Sequence, residues 1–119
     1  MKVLLATEGN TLESKIAKRF GEAPYYLIYD TETNEVEPTI NHGHDDNHSG
    51  LIKLVEEGVL HYIVGNTGPN AFNVLDERNS VLYLARGMVA KEALDAFLSQ
   101  KLEQLTKATL KRPVRRDSQ

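Results

Sequence analysis

Three of the four histidines in the chain, His42, His44 and His48, fall within seven residues, with Asp45 and Asp46 between them. Imidazoles two and four apart on a flexible loop can converge on one ion, and neutral imidazole suits Zn, Cu, Ni or Fe. A solvated loop that binds metal only adventitiously has the same composition, so both readings stand. His61 opens an apolar run and reads as structural. A calcium reading of the segment fails. Asp45, Asn47, Ser49, Gly50, Ile52 and Glu56 match positions 1, 3, 5, 6, 8 and 12 of an EF-hand loop, but the residues leading in include Pro38, Thr39, Ile40 and Gly43, an extended pattern rather than a helix.

A second candidate is Gly65-Asn66-Thr67-Gly68-Pro69-Asn70. Glycines let a backbone approach a ligand, and the free amides of a helix N-terminus favour an anion. The run is neither a P-loop nor a dinucleotide fingerprint. A tight strand-to-helix turn needs the same residues, so ligand loop and plain turn both remain open. Arg86, after a later apolar run, can clamp an anion or simply sit on the surface. Catalytic constellations are poor. Ser14, Ser49, Ser80 and Ser99 lie in no nucleophile elbow, and the first apolar run has no interior carboxylate for a two-metal nuclease. Tyr25, Tyr26 and Tyr29 read as sheet residues rather than a stacking platform. No enzyme is expected.

The elements that must position these residues follow from periodicity. Lys2 to Thr7 is a nearly continuous apolar run, the pattern of a strand buried on both faces, broken by Glu8-Gly9-Asn10. Residues 11 to 20 read as a weak helix, with Thr11 as N-cap and Leu12, Ile16 and Phe20 spaced by four. Tyr25 to Asp30 and Glu35 to Ile40 read as a hairpin around Thr31-Glu32-Thr33-Asn34. Ser49 is set to cap a helix that Gly58 stops. His61 to Val64 reads as the fourth strand, Pro69 as the first residue of the next helix, and Val81 to Ala85 as the fifth strand. A last helix starts near Val89, with Leu94, Leu98, Leu102 and Leu105 on one stripe and Phe97 beside it.

This order predicts an α/β fold: a mixed five-stranded sheet with one antiparallel strand and helices on both faces. In such sheets ligands collect at the carboxyl ends of the parallel strands. That edge would gather Glu8, Gly9 and Asn10, the Gly65 to Asn70 loop, and Arg86-Gly87. The pattern does not place the His-rich segment.

At 119 residues, 40% apolar and 26% charged, the chain is one domain with one core. No uncharged apolar run approaches the ~20 residues of a bilayer span. The N-terminus MKVLLATEGN has too short an apolar core for a signal peptide, which points to the cytoplasm. Zero cysteine excludes disulfides, thiolate zinc sites and thiolate-anchored clusters from this chain. Charge is uneven: residues 1 to 100 carry eight Lys/Arg against fifteen Asp/Glu, a net of -7, and residues 101 to 119 carry six against two, a net of +4. We expect a domain over residues 1–106 and a basic, disordered tail over 107–119. Nucleic-acid binding through Arg112, Arg115 and Arg116 conflicts with the acidic body.

The segments FGEAPYYLIYDTETNEVE (Phe20 to Glu37), HSG (His48 to Gly50), GNTGPNAF (Gly65 to Phe72) and VLYLARG (Val81 to Gly87), followed by EAL (Glu92 to Leu94), are in an order and spacing that resembles the dinitrogenase iron-molybdenum cofactor biosynthesis family. That family includes NifX-like carriers, the C-terminal domain of NifB and small stand-alone proteins. The resemblance covers roughly residues 1 to 100. It implies a three-layer, ribonuclease-H-like fold without nuclease activity. It also implies a role in binding or carrying an iron-sulfur or molybdenum-containing cluster, received from or passed to donor and acceptor proteins. By the same resemblance the cofactor region would comprise Glu8, Gly9, Asn10, Gly65, Asn66, Thr67, Gly68 and Asn70, with His42, His44 and His48 as protein ligands. Two features depart from the family: the His stretch is less compact, and Met88 stands where a capping Thr is usual. The rival from another class is a metal-independent small-anion or protein-interaction module of the same fold.

Overall fold

β-Branched and aromatic runs bounded by turn residues set the strands, and the computed structural model describes them within residues 1–43 and 48–111. Among the described residues the elements are β1 (Lys2–Thr7), β2 (Tyr25–Asp30), β3 (Glu35–Ile40), α1 (Ser49–Glu56), β4 (Val59–Val64), α2 (Pro69–Asp76), β5 (Val81–Leu84), α3 (Ala90–Leu98) and β6 (Glu103–Gln104), with one 3-10 turn at Phe20–Glu22. They form one mixed sheet in the order β3-β2-β1-β4-β5-β6. β1 pairs in parallel with β4, and β4 with β5, while β2 runs antiparallel to both β1 and β3, and β6 antiparallel to β5.

Helices cover both faces. Leu51 from α1 and Ala71, Phe72 and Leu75 from α2 pack with Leu4, Tyr62, Val64 and Leu82 on one face. Ala90, Ala93 and Leu94 from α3 pack with Val3, Leu5, Leu27 and Ile63 on the other. Alternate residues of β1 and β4 therefore feed two cores, which is why both strands read as unbroken apolar runs.

Five expectations are corrected. The sheet has six strands, not five, and two of them, β2 and β6, run against their neighbours, not one. The sixth is a pair of exposed residues, Glu103 and Gln104, with no apolar alternation to announce it. The last helix ends at Leu98, so Leu102 and Leu105 share no stripe with Leu94: Leu102 packs on the α3 face and Leu105 on the opposite one. A Schellman closure stops it, with Gln100 at φ 60 and the Lys101 amide on the Ala96 carbonyl at 2.8 Å. Gln replaces the usual glycine there, which hides the stop.

Residues 11 to 20 form no α-helix. Their backbone groups are taken by distant partners: Ala17 N to Ala6 O at 2.9 Å, Ile16 N to Met88 O at 2.9 Å, and Ser14 O and Leu12 O accepting from the first amides of α3, Ala90 and Lys91, at 2.7 and 2.8 Å. Ile16 and Phe20 bury on opposite faces of the sheet, so their spacing of four is no helical stripe. This segment also satisfies the start of α3, which has no side-chain cap. Ser49 is likewise not a cap but the first residue of α1. The cap position is His48, in the left-handed region at φ 53.

Candidate functional site

The register places the candidate residues. Thr7, the last residue of β1, pairs with Tyr25, and Tyr25 pairs with Ile40, the last residue of β3. β3 therefore runs parallel to β1, and the chain leaves β3 toward His42 at the same sheet edge where β1, β4 and β5 end. That edge gathers the bases of the loops after Thr7, Ile40, Val64 and Leu84. Sequence periodicity left the His segment unplaced because it does not set strand direction.

The Gly65 to Asn70 loop is packed rather than open. Gly65 lies under the segment 17–18: a Cβ there would collide with the Ala17 carbonyl oxygen and stand 2.8 Å from that of Lys18. The Asn66 amide donates to Lys18 O at 2.9 Å and its carbonyl accepts from Phe20 N at 2.8 Å. Thr67 is fully buried, and its hydroxyl donates to Gly65 O at 3.2 Å. Gly68 is buried and its carbonyl accepts from Phe72 N at 3.1 Å, closing the first turn of α2, where Pro69 is the first residue as expected. What remains accessible is side chain: half-buried Asn66 and exposed Asn70. Arg86 Nη1 donates to Asn66 Oδ1 at 3.2 Å. Exposed Lys18 and Arg19 flank Asn66 through its backbone partners, with Arg19 Nη1 3.8 Å from Glu22 Oε2, and Arg86 brings its guanidinium onto the loop itself.

Glu8 and Asn10 are exposed and Gly9 is half-buried against Ser14. Thr7 shapes the turn, with its hydroxyl donating to Gly9 O at 2.8 Å, and the Glu8 amide donates to Lys15 O at 2.9 Å. Asn10 also borders a depression of about 520 Å³ with Leu12, Val36, Pro38 and Lys91.

The His loop is tied to this edge by a residue the sequence did not single out. Asn41 donates from its backbone to Pro24 O at 3.0 Å and from its side chain to Ala23 O at 2.7 Å, and its Oδ1 accepts from Gly43 N at 2.9 Å. Ala23 N in turn donates to Phe20 O at 3.3 Å, so hydrogen bonds run from the start of the His loop through Phe20 to Asn66. His42 is exposed and His48 half-buried at the start of α1. His44 lies outside the described residues, as do Asp45, Asp46, Asn47 and the tail arginines Arg112, Arg115 and Arg116. Three strand spacings separate the end of β3 from the end of β4, roughly 14 Å at the loop bases. Among the described residues no three His, Asp or Glu side chains are grouped to hold a metal ion.

His61 is elsewhere, near the amino end of β4. Its Nδ1 lies 3.3 Å from Tyr83 Oη and its ring 5.7 Å from that of Phe97. Burial, then the nearby N-terminal ammonium, lowers its pKa below the ordinary histidine value.

The family model for the dinitrogenase iron-molybdenum cofactor matches residues 1–100, which contain the edge loops just described. The chain belongs to this family. The solution structure of a NifB-like protein from Thermotoga is 36% identical, with 92% of this chain and 97% of that one covered and a TM-score of 0.78. The apo orange protein from Desulfovibrio gigas has a TM-score of 0.82 at 21% identity, covering 92% and 96%. A dinitrogenase-like protein from Methanocaldococcus jannaschii gives 0.66 at 24%, covering 90% and 96%. These two show likeness of fold alone. No curated protein matches the chain. Among the described residues no helix is long and apolar enough to cross a membrane.

The chain does not detach after residue 106. The Thr67 amide donates to Thr109 Oγ1 at 2.8 Å, and Thr109 N and Leu110 N donate to Thr67 O at 3.0 and 3.1 Å. Thr109 is the second residue that sequence reading passed over, because it sits in a stretch read by composition as tail.

Proposed function

We propose that this protein binds and hands on an anionic metal-sulfur cluster of the iron-sulfur or molybdenum-containing kind, as a carrier without turnover. The observation that carries the reading is the convergence of the His loop base, Glu8 to Asn10 and the Asn66-Arg86 pair on one sheet edge, in a chain of the cofactor family. The cluster is cargo here. It brings its own sulfides, since the chain has no cysteine, and the protein offers imidazole from His42, His44 and His48 together with the Arg86 guanidinium at Asn66. Guanidinium is weakly hydrated and suits an anion of diffuse charge. Holding without thiolates leaves the cargo transferable, which fits exchange with donor and acceptor proteins in the cytoplasm. The ribonuclease-H-like reading of the fold belongs to the same proposal, supported by the order β3-β2-β1-β4-β5 with β2 alone reversed among them.

Anaerobic addition of tetrathiomolybdate tests it. The expected result is a charge-transfer band that stays with the protein through gel filtration and is lost from the His42→Ala/His44→Ala/His48→Ala variant. A band that survives in that variant would remove the histidines from the site. No band in the natural protein, with no Zn, Ni or Fe binding tighter than about 10 µM, would favour the metal-independent module.

A further inference from the structure

The inference concerns Asn41, which directly follows the last residue of β3. Its side-chain amide makes two contacts at once. Nδ2 donates to Ala23 O at 2.7 Å, and Oδ1 accepts from Gly43 N at 2.9 Å. Exchanging the two ends of the amide would set oxygen against oxygen and N–H against N–H, so the contacts fix its orientation. The second contact closes an Asx turn whose middle residue is His42, and Gly43 follows at φ 93, a region open to glycine. The first contact, together with Asn41 N donating to Pro24 O at 3.0 Å, fastens that turn to chain embedded in the core. Ala23 is 2% exposed, and Phe20, whose carbonyl accepts from the Ala23 amide, is 0% exposed. His42 is thus held through its backbone while its imidazole stays on the surface.

We propose that Asn41 is a positioning residue for His42, acting on cargo through that imidazole and touching none of the cargo itself. A ligand whose backbone is fixed before cargo arrives loses less freedom on binding than one on an unclamped loop. Residues that orient a metal ligand are typically worth about 10–100-fold in affinity. Only an amide of this length serves both contacts: Asp has no donor for Ala23, Ala has neither group, and Gln is one methylene too long for the turn. His48 is set differently, its carbonyl accepting from Leu51 and Ile52 at 3.1 and 3.2 Å as α1 begins. This inference rests on the carrier reading for its purpose but not for the turn.

Two measurements on the full-length protein test it. In ¹⁵N-labelled Asn41→Ala the Gly43 amide is expected to exchange at least about threefold faster than in the natural protein, with Ile63 unchanged and Asn41→Asp, which keeps the acceptor, still protected. In anaerobic titration with tetrathiomolybdate, Asn41→Ala is expected to bind about tenfold more weakly than the natural protein, and Asn41→Ala/His42→Ala no more weakly than His42→Ala alone. Equal Gly43 exchange in all forms overturns the turn clamp. Equal affinity of Asn41→Ala and the natural protein overturns the positioning role. So do losses that add in the double variant, since a residue that only supports the fold would weaken both backgrounds alike. Should Asn41→Ala not fold, Asn41→Gln takes its place in both measurements. Failure of tetrathiomolybdate to bind the natural protein overturns the carrier reading and the positioning role with it, while the exchange result still decides the turn.

Discussion

Arg86 and Asn66 meet across the ends of β5 and β4, guanidinium Nη1 to amide Oδ1 at 3.2 Å. The contact joins two loops that are twenty residues apart and turns a lone basic side chain into part of a defined edge. An exposed pair of this kind adds little stability, so its value lies in where it holds the guanidinium. Arg86→Ala is expected to weaken tetrathiomolybdate binding by roughly tenfold, the loss of about 1.5 kcal/mol for a hydrogen bond to a charged group, while the urea midpoint stays within error. Equal affinity of the two forms would take Arg86 out of the site.

Gly65 is required by close approach rather than by a positive φ. A methyl group there meets the backbone carbonyls of Ala17 and Lys18, which cannot swing aside as a side chain can. Gly65→Ala should cost about 1–3 kcal/mol in urea denaturation, the range for overpacking a filled site. Gly50, inside α1 with open space around it, is the matched control. Gly50→Ala should be neutral or stabilise by about 0.5–1 kcal/mol.

The buried Tyr62 hydroxyl donates to Val59 O at 2.8 Å, and burial pushes its pKa well above the usual phenol value. Tyr62→Phe keeps the ring and leaves the Val59 carbonyl without this partner. A loss of about 1–2 kcal/mol is expected by thermal or urea denaturation. A variant as stable as the natural protein would show that the carbonyl finds another donor.

His61 predicts a pH dependence. Its folded pKa is lowered from the ordinary 6.5, first by burial and then by the N-terminal ammonium. Above that value both folded and unfolded forms are neutral and the group contributes nothing. As pH falls from 6.5 toward the lower folded pKa, the unfolded chain binds the proton first, so stability declines. His61→Gln should flatten the stability profile in the window just below about pH 6.5. An unchanged slope in that window would assign the effect to other groups.

Much of the frame was legible. The bounds of β1, β2 and β3 follow from runs and turn residues alone, and Pro69 and Gly58 mark helix ends by backbone chemistry that needs no tertiary partner. The segment 11–19 was not legible, because most of its paired carbonyls and amides serve β1, the loop after β4 and the start of α3. Nor was the packed state of the Gly65 loop: its glycines signal close backbone approach, and the approaching group is the protein's own chain.

By itself the sequence determined most of the element types, helices on both faces of the sheet, the candidate residues and the family, because each is written in local spacing, side-chain type or motif. Only the tertiary structure decided which residues share an edge. The direction of β3 brings the start of the His loop to the sheet edge that carries Asn66, and the return of residues 105–110 pairs the Thr67 amide with Thr109 Oγ1. Both are long-range hydrogen-bonding outcomes. A backbone amide carries the same donor at every position, so no residue type announces which distant partner will take it.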